Sequence, residues 1–254
     1  MSSFEVVGGK KLSGTIYPQG AKNEALQIIC GVLLSDQKIT IKNVPDIIDV
    51  NKLIDLLKSL GVQVVKVSKG VFQFHSKNID LGYLNSEDFE LKCKSLRGSI
   101  MIVGPLLARF GKAAIPRPGG DKIGRRRLDT HFIGFEKLGA EFNYDDKNGF
   151  FQINAKELKG TSMLLEEASV TGTANIVMAA CLAKGPPFLF LGTFLLLLRL
   201  CMLCFGRRCV GQCGPLCTGT SKHDPQRNPL CRRSRGRVYP LAGCASCIAF
   251  SVPA

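Results

Sequence analysis

The hydrophobic pattern of the first 185 residues alternates between helical and strand-like periods. Apolar positions at the helical spacing predict one helix that opens at Gly20-Ala21-Lys22-Asn23 and a second from about residue 49 to residue 60. Short apolar stretches predict a strand at 38–42 and a hairpin at 62–75. Two more strands are expected between Phe4 and Ile16, around a Gly-Gly turn. Strands that alternate with helices indicate the α/β class.

The same order of elements returns further along the chain. Gly61 and Gly139 each end a predicted helix and precede a predicted hairpin, and they lie 78 residues apart. In the upstream helices Leu34 and Leu107 are 73 residues apart, and Leu182 follows after another 75. Repetition at a nearly constant period predicts a domain of repeated helix–strand–helix–hairpin units, with a third unit that stops after its first helix. Chance echoes of Leu-Gly after a helix are the alternative.

The composition changes abruptly after residue 185. Of the 11 cysteines, three precede residue 186 and eight follow it. The segment 186–254 contains nine Lys or Arg and a single acid, whereas the rest of the chain contains 25 bases and 19 acids, within a net charge of +14. The first part therefore has the sparse cysteines of a reduced intracellular protein.

The stretch 117–127 reads R-P-G-G-D-K-I-G-R-R-R and combines glycine hinges with charge. It places one carboxylate, Asp121, beside a lysine and three consecutive arginines. Such a loop can present an acid and fix cations against an anionic substrate. A solvated basic hairpin tip is the alternative.

Three predicted helix starts carry groups suited to anions or sugars. Lys22 and Asn23 begin the first helix, where free backbone N–H groups favour an anion. Arg97 takes the matching place in the second unit, and a segment that begins at Ser169 takes it in the third. An ordinary surface lysine and plain N-capping by Ser169 are the alternatives. His131 stands alone, which is more typical of a structural histidine than of a catalytic one.

Eight motifs follow one another along residues 1–185. They read F-E-V-V-G-G-K-K-L-S-G, G-A-K-N-E-A-L, N-V-P-D-I-I-D-V, L-R-G-S-I, G-P-L-L-A-R-F-G, P-G-G-D-K-I-G-R-R, D-T-H and A-S-V-T-G-T-A-N. In these motifs and their order the chain closely resembles the UDP-N-acetylglucosamine 1-carboxyvinyltransferases, a family of enolpyruvyl transferases. The resemblance ends at residue 185.

The resemblance implies an inverted α/β barrel of two domains, each built from repeated units, with the active site in the cleft between them. Residues 1–20 would form strands of the second, largely missing domain. Residues 21–185 would form the first domain, cut short in its third unit, and 186–254 would be an atypical Cys/Arg/Pro-rich tail.

The reaction implied by the resemblance adds the 3′-hydroxyl of UDP-N-acetylglucosamine to C2 of phosphoenolpyruvate and then eliminates phosphate. By resemblance, Asp121 donates a proton to C3, and Lys22 and Arg126 complete the catalytic set. Lys22 with Asn23 would bind phosphoenolpyruvate. The residues implied for the sugar nucleotide are Arg97, Arg126, Arg127, Leu128, Asp129, Thr130, Glu167, Ala168, Ser169 and Val170. Neither a metal nor a cofactor is implied.

Two positions depart from the family pattern. Arg127 stands where many members have proline, which leaves its role less defined. Asp121 stands where many members have cysteine, and an aspartate is a poorer nucleophile than a thiolate. We therefore expect resistance to thiol-alkylating epoxides such as fosfomycin.

Three interpretations of the tail compete. A zinc module would draw on the cysteines between residues 201 and 217, but paired C-x2-C knuckles at the usual spacing are absent. A membrane anchor is disfavoured because the apolar run 188–198 is about half the span that a bilayer needs. Out-of-frame translation explains the abrupt onset, the Leu/Cys/Arg bias and the lost periodicity together, and we favour it. On that interpretation the polypeptide is expected to be inactive.

The expected function is the first committed step of peptidoglycan synthesis, in the cytoplasm, with consequences for cell wall biogenesis, cell shape and cell division. The expected partners are phosphoenolpyruvate and UDP-N-acetylglucosamine, and neither nucleic acid nor a membrane. A non-catalytic UDP-sugar-binding remnant and a 3-phosphoshikimate 1-carboxyvinyltransferase-like enzyme are the alternatives. A nucleic-acid binder would rest on the charge of the tail, which lacks interleaved aromatic residues.

Overall fold

The computed structural model of the chain describes most of the first 185 residues. The described ranges are 3–9, 11, 13–116, 128–145, 149–165 and 169–185, together with the backbone of 188–190 and 249–251. The candidate residues outside these ranges are Asp121, Arg126, Arg127, Glu167 and Ala168.

The first unit has the predicted order of helix, strand, helix and hairpin. Its elements are α1 (Lys22–Gly31), β1 (Lys38–Lys42), α2 (Ile48–Ser59), β2 (Gln63–Ser68) and β3 (Val71–His75). A 3₁₀ turn follows α1 directly, and each element forms where the apolar period predicts it.

A helix that the hydrophobic pattern does not predict connects the two units. This helix, α3 (Glu87–Lys94), begins at Ser86, whose hydroxyl accepts the Phe89 N–H at 3.1 Å. Phe89 and Cys93 are its buried side chains, so the apolar pattern is too sparse to reveal it. Its N-cap and its acidic first turn are the local features that favour a helix here.

The second unit repeats the first. A 3₁₀ segment, Arg97–Ile102, leads directly into the first of its elements. These are α4 (Val103–Phe110), β4 (Lys112–Pro116), α5 (Asp129–Lys137), β5 (Glu141–Asp145) and β6 (Phe150–Asn154). The third unit then contributes β7 (Ser162–Leu164), α6 (Val170–Ala180) and β8 (Phe188–Phe190), and β9 (Ala249–Ser251) is the last described element.

The sheets confirm the predicted repeat. In the first unit the strand order is β2-β3-β1, and in the second unit the corresponding order is β5-β6-β4, with antiparallel pairing throughout both. The edge strand β9 pairs antiparallel with β1. The third unit extends one strand further than expected, because β8 pairs parallel with β7.

Gly61 and Gly139 end the equivalent helices in the same conformation. Their φ angles are +96° and +95°, which only glycine adopts readily. The residue after each glycine donates its N–H back into the helix at 3.0 Å, Val62 to Leu57 and Ala140 to Phe135. This left-handed helix end turns the chain into the hairpin in both units.

The described residues between 3 and 21 form no strand, contrary to expectation. Phe4, Ile16 and Tyr17 are each more than four-fifths exposed, so this segment buries little apolar surface. A hairpin without a packed face is marginally stable, which accounts for the difference. That residues 1–20 belong to a second domain stays a prediction.

The core lies between the two sheets and a central group of helices, in which α6 contacts α1, α4 and α5. Arg109 on α4 joins the second unit to the first. Its Nη1 donates to the carbonyl oxygens of Leu33, Ser35 and Ser76, at 3.2, 3.3 and 2.6 Å. Burial lowers the pKa of this guanidinium from its usual range.

Within the described part of the chain, no helix is both long enough and apolar enough to span a membrane.

Candidate functional site

Lys22 and Asn23 lie exposed at the start of α1. The preceding residue, Ala21, offers no side chain to cap the helix. Lys22 Nζ contacts Asp49 Oδ2 at 2.9 Å, and Asp49 lies in the first turn of α2. A carboxylate is favourable at a helix start and a lysine is not, so the ion pair stabilises a cation where the helix dipole opposes it. The starts of α1 and α2 therefore face one another across this pair.

Arg97 begins the 3₁₀ segment that leads into α4. The next residue, Gly98, lies against the first turns of α1, since a Cβ built on it would be 3.3 Å from Leu26 Cδ1. The positive charge of Arg97 also contributes to the lowered pKa of His131, which places the guanidinium near the start of α5. The 3₁₀ segment that Arg97 begins thus contacts α1 of the first unit and α6 of the third.

The starts of α5 and α6 are in direct contact. A Cβ built on Gly172 would lie 3.0 Å from both Thr130 Cγ2 and Ser169 Oγ, so the first turns of the two helices leave no space there. Thr130 is buried, while Asp129 and Val170 are exposed beside it. This contact brings together two segments that are about 40 residues apart in sequence.

Ser169 caps α6. Its hydroxyl oxygen accepts the N–H of Gly172 at 3.1 Å, and the side-chain hydroxyl of Thr173 donates to the Ser169 carbonyl oxygen at 2.7 Å. Plain N-capping, the alternative in the sequence analysis, therefore accounts for this serine in the structure. Leu128, at the start of α5, packs partly buried against the core.

His131 is buried and hydrogen-bonded. Its Nδ1 lies 3.0 Å from Asn175 Nδ2, and 2% of the residue is exposed. Burial, followed by the charge of Arg97, lowers its pKa from 6.5 to about 4. The imidazole is therefore neutral at physiological pH, and the structural interpretation of this histidine agrees with the geometry.

The described candidates thus lie at the starts of elements that contact one another: α1, the 3₁₀ segment and α6 contact each other, and α5 contacts α6. Sequence reasoning passed over Asp49 and Asn175, although both lie inside motifs quoted above. Asn175 is a lone amide among apolar residues of α6, and Asp49 opens a helix. A lone amide in an apolar helix and an acid at a helix start could both have been identified from the sequence.

The fold places the chain in a structural class. The solved enolpyruvyl transferase NikO from Streptomyces tendae matches it with a TM-score of 0.58 at 15% identity, covering 72% of this chain and 42% of that one. An EPSP synthase from Acinetobacter baumannii matches with a TM-score of 0.54 at 16% identity, covering 70% and 40%. The repeated unit described above is therefore that of the enolpyruvyl transferase fold.

The family follows from the sequence. The profile of EPSP synthase (3-phosphoshikimate 1-carboxyvinyltransferase) matches residues 6–194. The chain belongs to this family. The sequence resemblance and the predicted fold class are both confirmed.

Curated relatives include several UDP-N-acetylglucosamine 1-carboxyvinyltransferases. The protein of Bacteroides fragilis is 62% identical over 185 residues, which is 73% of this chain and 43% of that protein. The protein of Porphyromonas gingivalis is 54% identical over the same shares, and that of Treponema denticola is 43% identical over 73% and 42%. The chain thus spans less than half the length of these relatives.

Proposed function

We propose that this chain is part of an enzyme that transfers the enolpyruvyl group of phosphoenolpyruvate to the 3′-hydroxyl of UDP-N-acetylglucosamine and releases phosphate. One observation carries the proposal: the elements that begin with anion-binding groups contact one another, in a chain 62% identical over 185 residues to a transferase of that name. The described region would supply Lys22 and Asn23 for phosphoenolpyruvate and the residues for the sugar nucleotide, which we call the sugar-nucleotide half of the site.

The roles follow from the chemistry that the reaction needs. A cation must hold the phosphate of phosphoenolpyruvate, and Lys22 stands exposed at a helix start with Asn23 beside it. Arg97 and the starts of α5 and α6 offer a guanidinium and backbone N–H groups to a diphosphate. Protonation of C3 is assigned to Asp121 and stabilisation of developing charge to Arg126, both of which lie outside the described residues.

The acceptor substrate separates this proposal from its enzymatic alternative. The family description names 3-phosphoshikimate, whereas the curated relatives with identities of 54–62% are named for UDP-N-acetylglucosamine. These identities favour the sugar nucleotide. With that acceptor, the product enters peptidoglycan synthesis, and we place the reaction in the cytoplasm.

Calorimetric titration of the 254-residue chain with each acceptor tests the proposal. We expect saturable binding of UDP-N-acetylglucosamine and none of 3-phosphoshikimate, with at least a tenfold loss of affinity on Arg97→Gln. Lys58→Gln is the control, since Lys58 pairs with Asp55 on the outer face of α2. Binding of 3-phosphoshikimate alone would overturn the assignment. Binding of the sugar nucleotide without phosphate release from phosphoenolpyruvate would favour the remnant alternative.

A further inference from the structure

We propose that Asn175 is a positioning residue for the sugar-nucleotide half of the site. Its side-chain amide fixes three segments relative to one another: the 3₁₀ segment with α4, the start of α5, and α6. The inference rests on the proposed function, because these segments carry the residues assigned to the sugar nucleotide.

The side-chain amide of Asn175 has three hydrogen-bond partners, one each on the 3₁₀ segment, α4 and α5. Its Nδ2 donates to the Ile100 carbonyl oxygen at 2.8 Å and to His131 Nδ1 at 3.0 Å. Its Oδ1 accepts the N–H of Gly104 at 2.8 Å. Asn175 is 0% exposed, so water cannot replace these partners. An amide buried in this way costs free energy whenever one partner is lost.

The backbone around the amide leaves no room for adjustment. A Cβ built on Gly104 would lie 2.2 Å from the Asn175 carbonyl oxygen and 2.4 Å from Asn175 Oδ1. Helix α4 therefore approaches α6 as closely as a residue without a side chain permits. On the other side, a Cβ on Gly134 of α5 would lie 2.2 Å from Ile176 Cδ1. The two close contacts flank the hydrogen-bonded amide.

The amide also determines the protonation state of its partner. The N–H of Gly104 fixes Oδ1 as the acceptor side of the amide, so Nδ2, which can only donate, faces the ring; we infer that His131 Nδ1 accepts and that the neutral ring carries its proton on Nε2. The charged side chains near the ring are those of α5 itself, Asp129, Glu136 and Lys137, those of the contacting strand β5, Glu141 and Asp145, and Arg97 of the 3₁₀ segment. Between Val170 and Ala180, α6 has none. The lowered pKa of His131 agrees with this arrangement.

Asn175→Asp is the sharpest test because it keeps the shape and replaces the donor by an oxygen. That oxygen would face the Ile100 carbonyl and the lone pair of His131 Nδ1. We expect the ring to take up a proton at pH 7, and the affinity for UDP-N-acetylglucosamine to fall at least tenfold. Met178→Ala is the matched control, since it removes a buried apolar side chain from the same helix.

The measurements are made on the full chain. Nitrogen-15 NMR of the His131 ring reports its tautomer, backbone amide shifts of Arg97, Thr130 and Val170 report the segments, and calorimetry reports sugar-nucleotide binding. The inference is supported if Asn175→Asp moves all three amides and weakens binding, while Met178→Ala binds within threefold of the wild type. It is overturned if the wild-type ring carries its proton on Nδ1, or if the three amides keep their shifts in Asn175→Asp.

Failure of the proposed function has a different signature. If the wild type binds no UDP-N-acetylglucosamine, the substrate assignment is wrong. The tautomer and the amide shifts need no ligand, and they still decide whether Asn175 holds the three segments. Should Asn175→Asp not fold, Asn175→Leu removes the hydrogen bonds without adding charge and is judged by the same shifts.

Discussion

The first and second units share one framework and differ most in the length of one connection. In the first unit β1 ends at Lys42 and α2 begins at Ile48, whereas in the second unit β4 ends at Pro116 and α5 begins at Asp129. The longer connection contains the whole run from Arg117 to Arg127. The second unit therefore carries these additional charged residues between β4 and α5 without change to its sheet order.

The units also differ at one equivalent helical position. Leu53 and His131 each lie eight residues before the glycine that ends the helix, and both are almost fully buried. Leu53 packs in the apolar core, whereas His131 forms a hydrogen bond with Asn175 of α6. The second unit thus exchanges an apolar contact for a polar one where it meets the third.

The strongest test of this equivalence uses the two helix-ending glycines. Both have φ near +95°, but a Cβ on Gly61 would lie 2.4 Å from the Asn78 carbonyl oxygen, and a Cβ on Gly139 would lie 3.6 Å from that of Glu157. We expect Gly61→Ala to lower the free energy of unfolding by about 3–5 kcal/mol and Gly139→Ala by about 1–2 kcal/mol. Urea denaturation measures both, and equal losses would contradict the difference.

The buried histidine should make stability depend on pH. The pKa of His131 is about 4 in the folded chain and ordinarily 6.5, so the unfolded chain binds the proton more readily between these values. Its contribution is present above pH 6.5 and is lost as the pH falls towards 4, by roughly 3 kcal/mol.

Urea denaturation of the wild type and of His131→Gln across that range provides the check. The variant lacks the titrating ring, so the gap between the two curves should narrow on acidification. A gap that stays constant from pH 7 to pH 4 would show that the ring is not held neutral.

A smaller effect is expected at the start of α1. If Lys22 binds the phosphate of phosphoenolpyruvate, Lys22→Gln should weaken that binding about tenfold, or ~1.4 kcal/mol. Isothermal titration with UDP-N-acetylglucosamine present measures it, with Lys58→Gln as the matched lysine elsewhere in the first unit. A loss of the same size in both variants would remove Lys22 from the site.

The smallest effect concerns the partner of that lysine. The side chains of Lys22 and Asp49 are 46% and 38% exposed, so their ion pair is largely solvated. Asp49→Asn should change the free energy of unfolding by less than about 1 kcal/mol. A thermal or urea midpoint shift that indicates several kcal/mol would mean that the pair holds the two helices together.

Much of the framework follows from the sequence because periodicity is a local property. The period of apolar residues placed β1 at its observed bounds and α2 within one residue at each end. The polar helix α3 was not predicted, because it buries only Phe89 and Cys93 and so has no clear apolar period. The strands predicted between Phe4 and Ile16 are wrong in the described residues because a strand also needs a surface to pack on.

The candidate site was only partly accessible to sequence reasoning. Lys22 and Arg97 are candidates because a cation at a helix start is unusual, and their roles stay a prediction. The hydroxyl of Ser169 caps its own helix in the structure, and whether a serine caps a helix or faces a ligand depends on local geometry. The pairing of Asn175 with His131 joins residues 44 positions apart, and neither period nor spacing predicts such a contact.

The three carbonyl contacts of Arg109 affect how the first two units separate during partial unfolding. All three hydrogen bonds come from Nη1, which reaches the carbonyl oxygens of Leu33 and Ser35 between α1 and β1 and that of Ser76 just after β3, all in the neighbouring unit. Separating the units would leave those carbonyls and a half-buried cation without partners. Amide hydrogens on the two sides of this contact should therefore exchange with solvent in one cooperative event, so that the repeats behave as a single foldon.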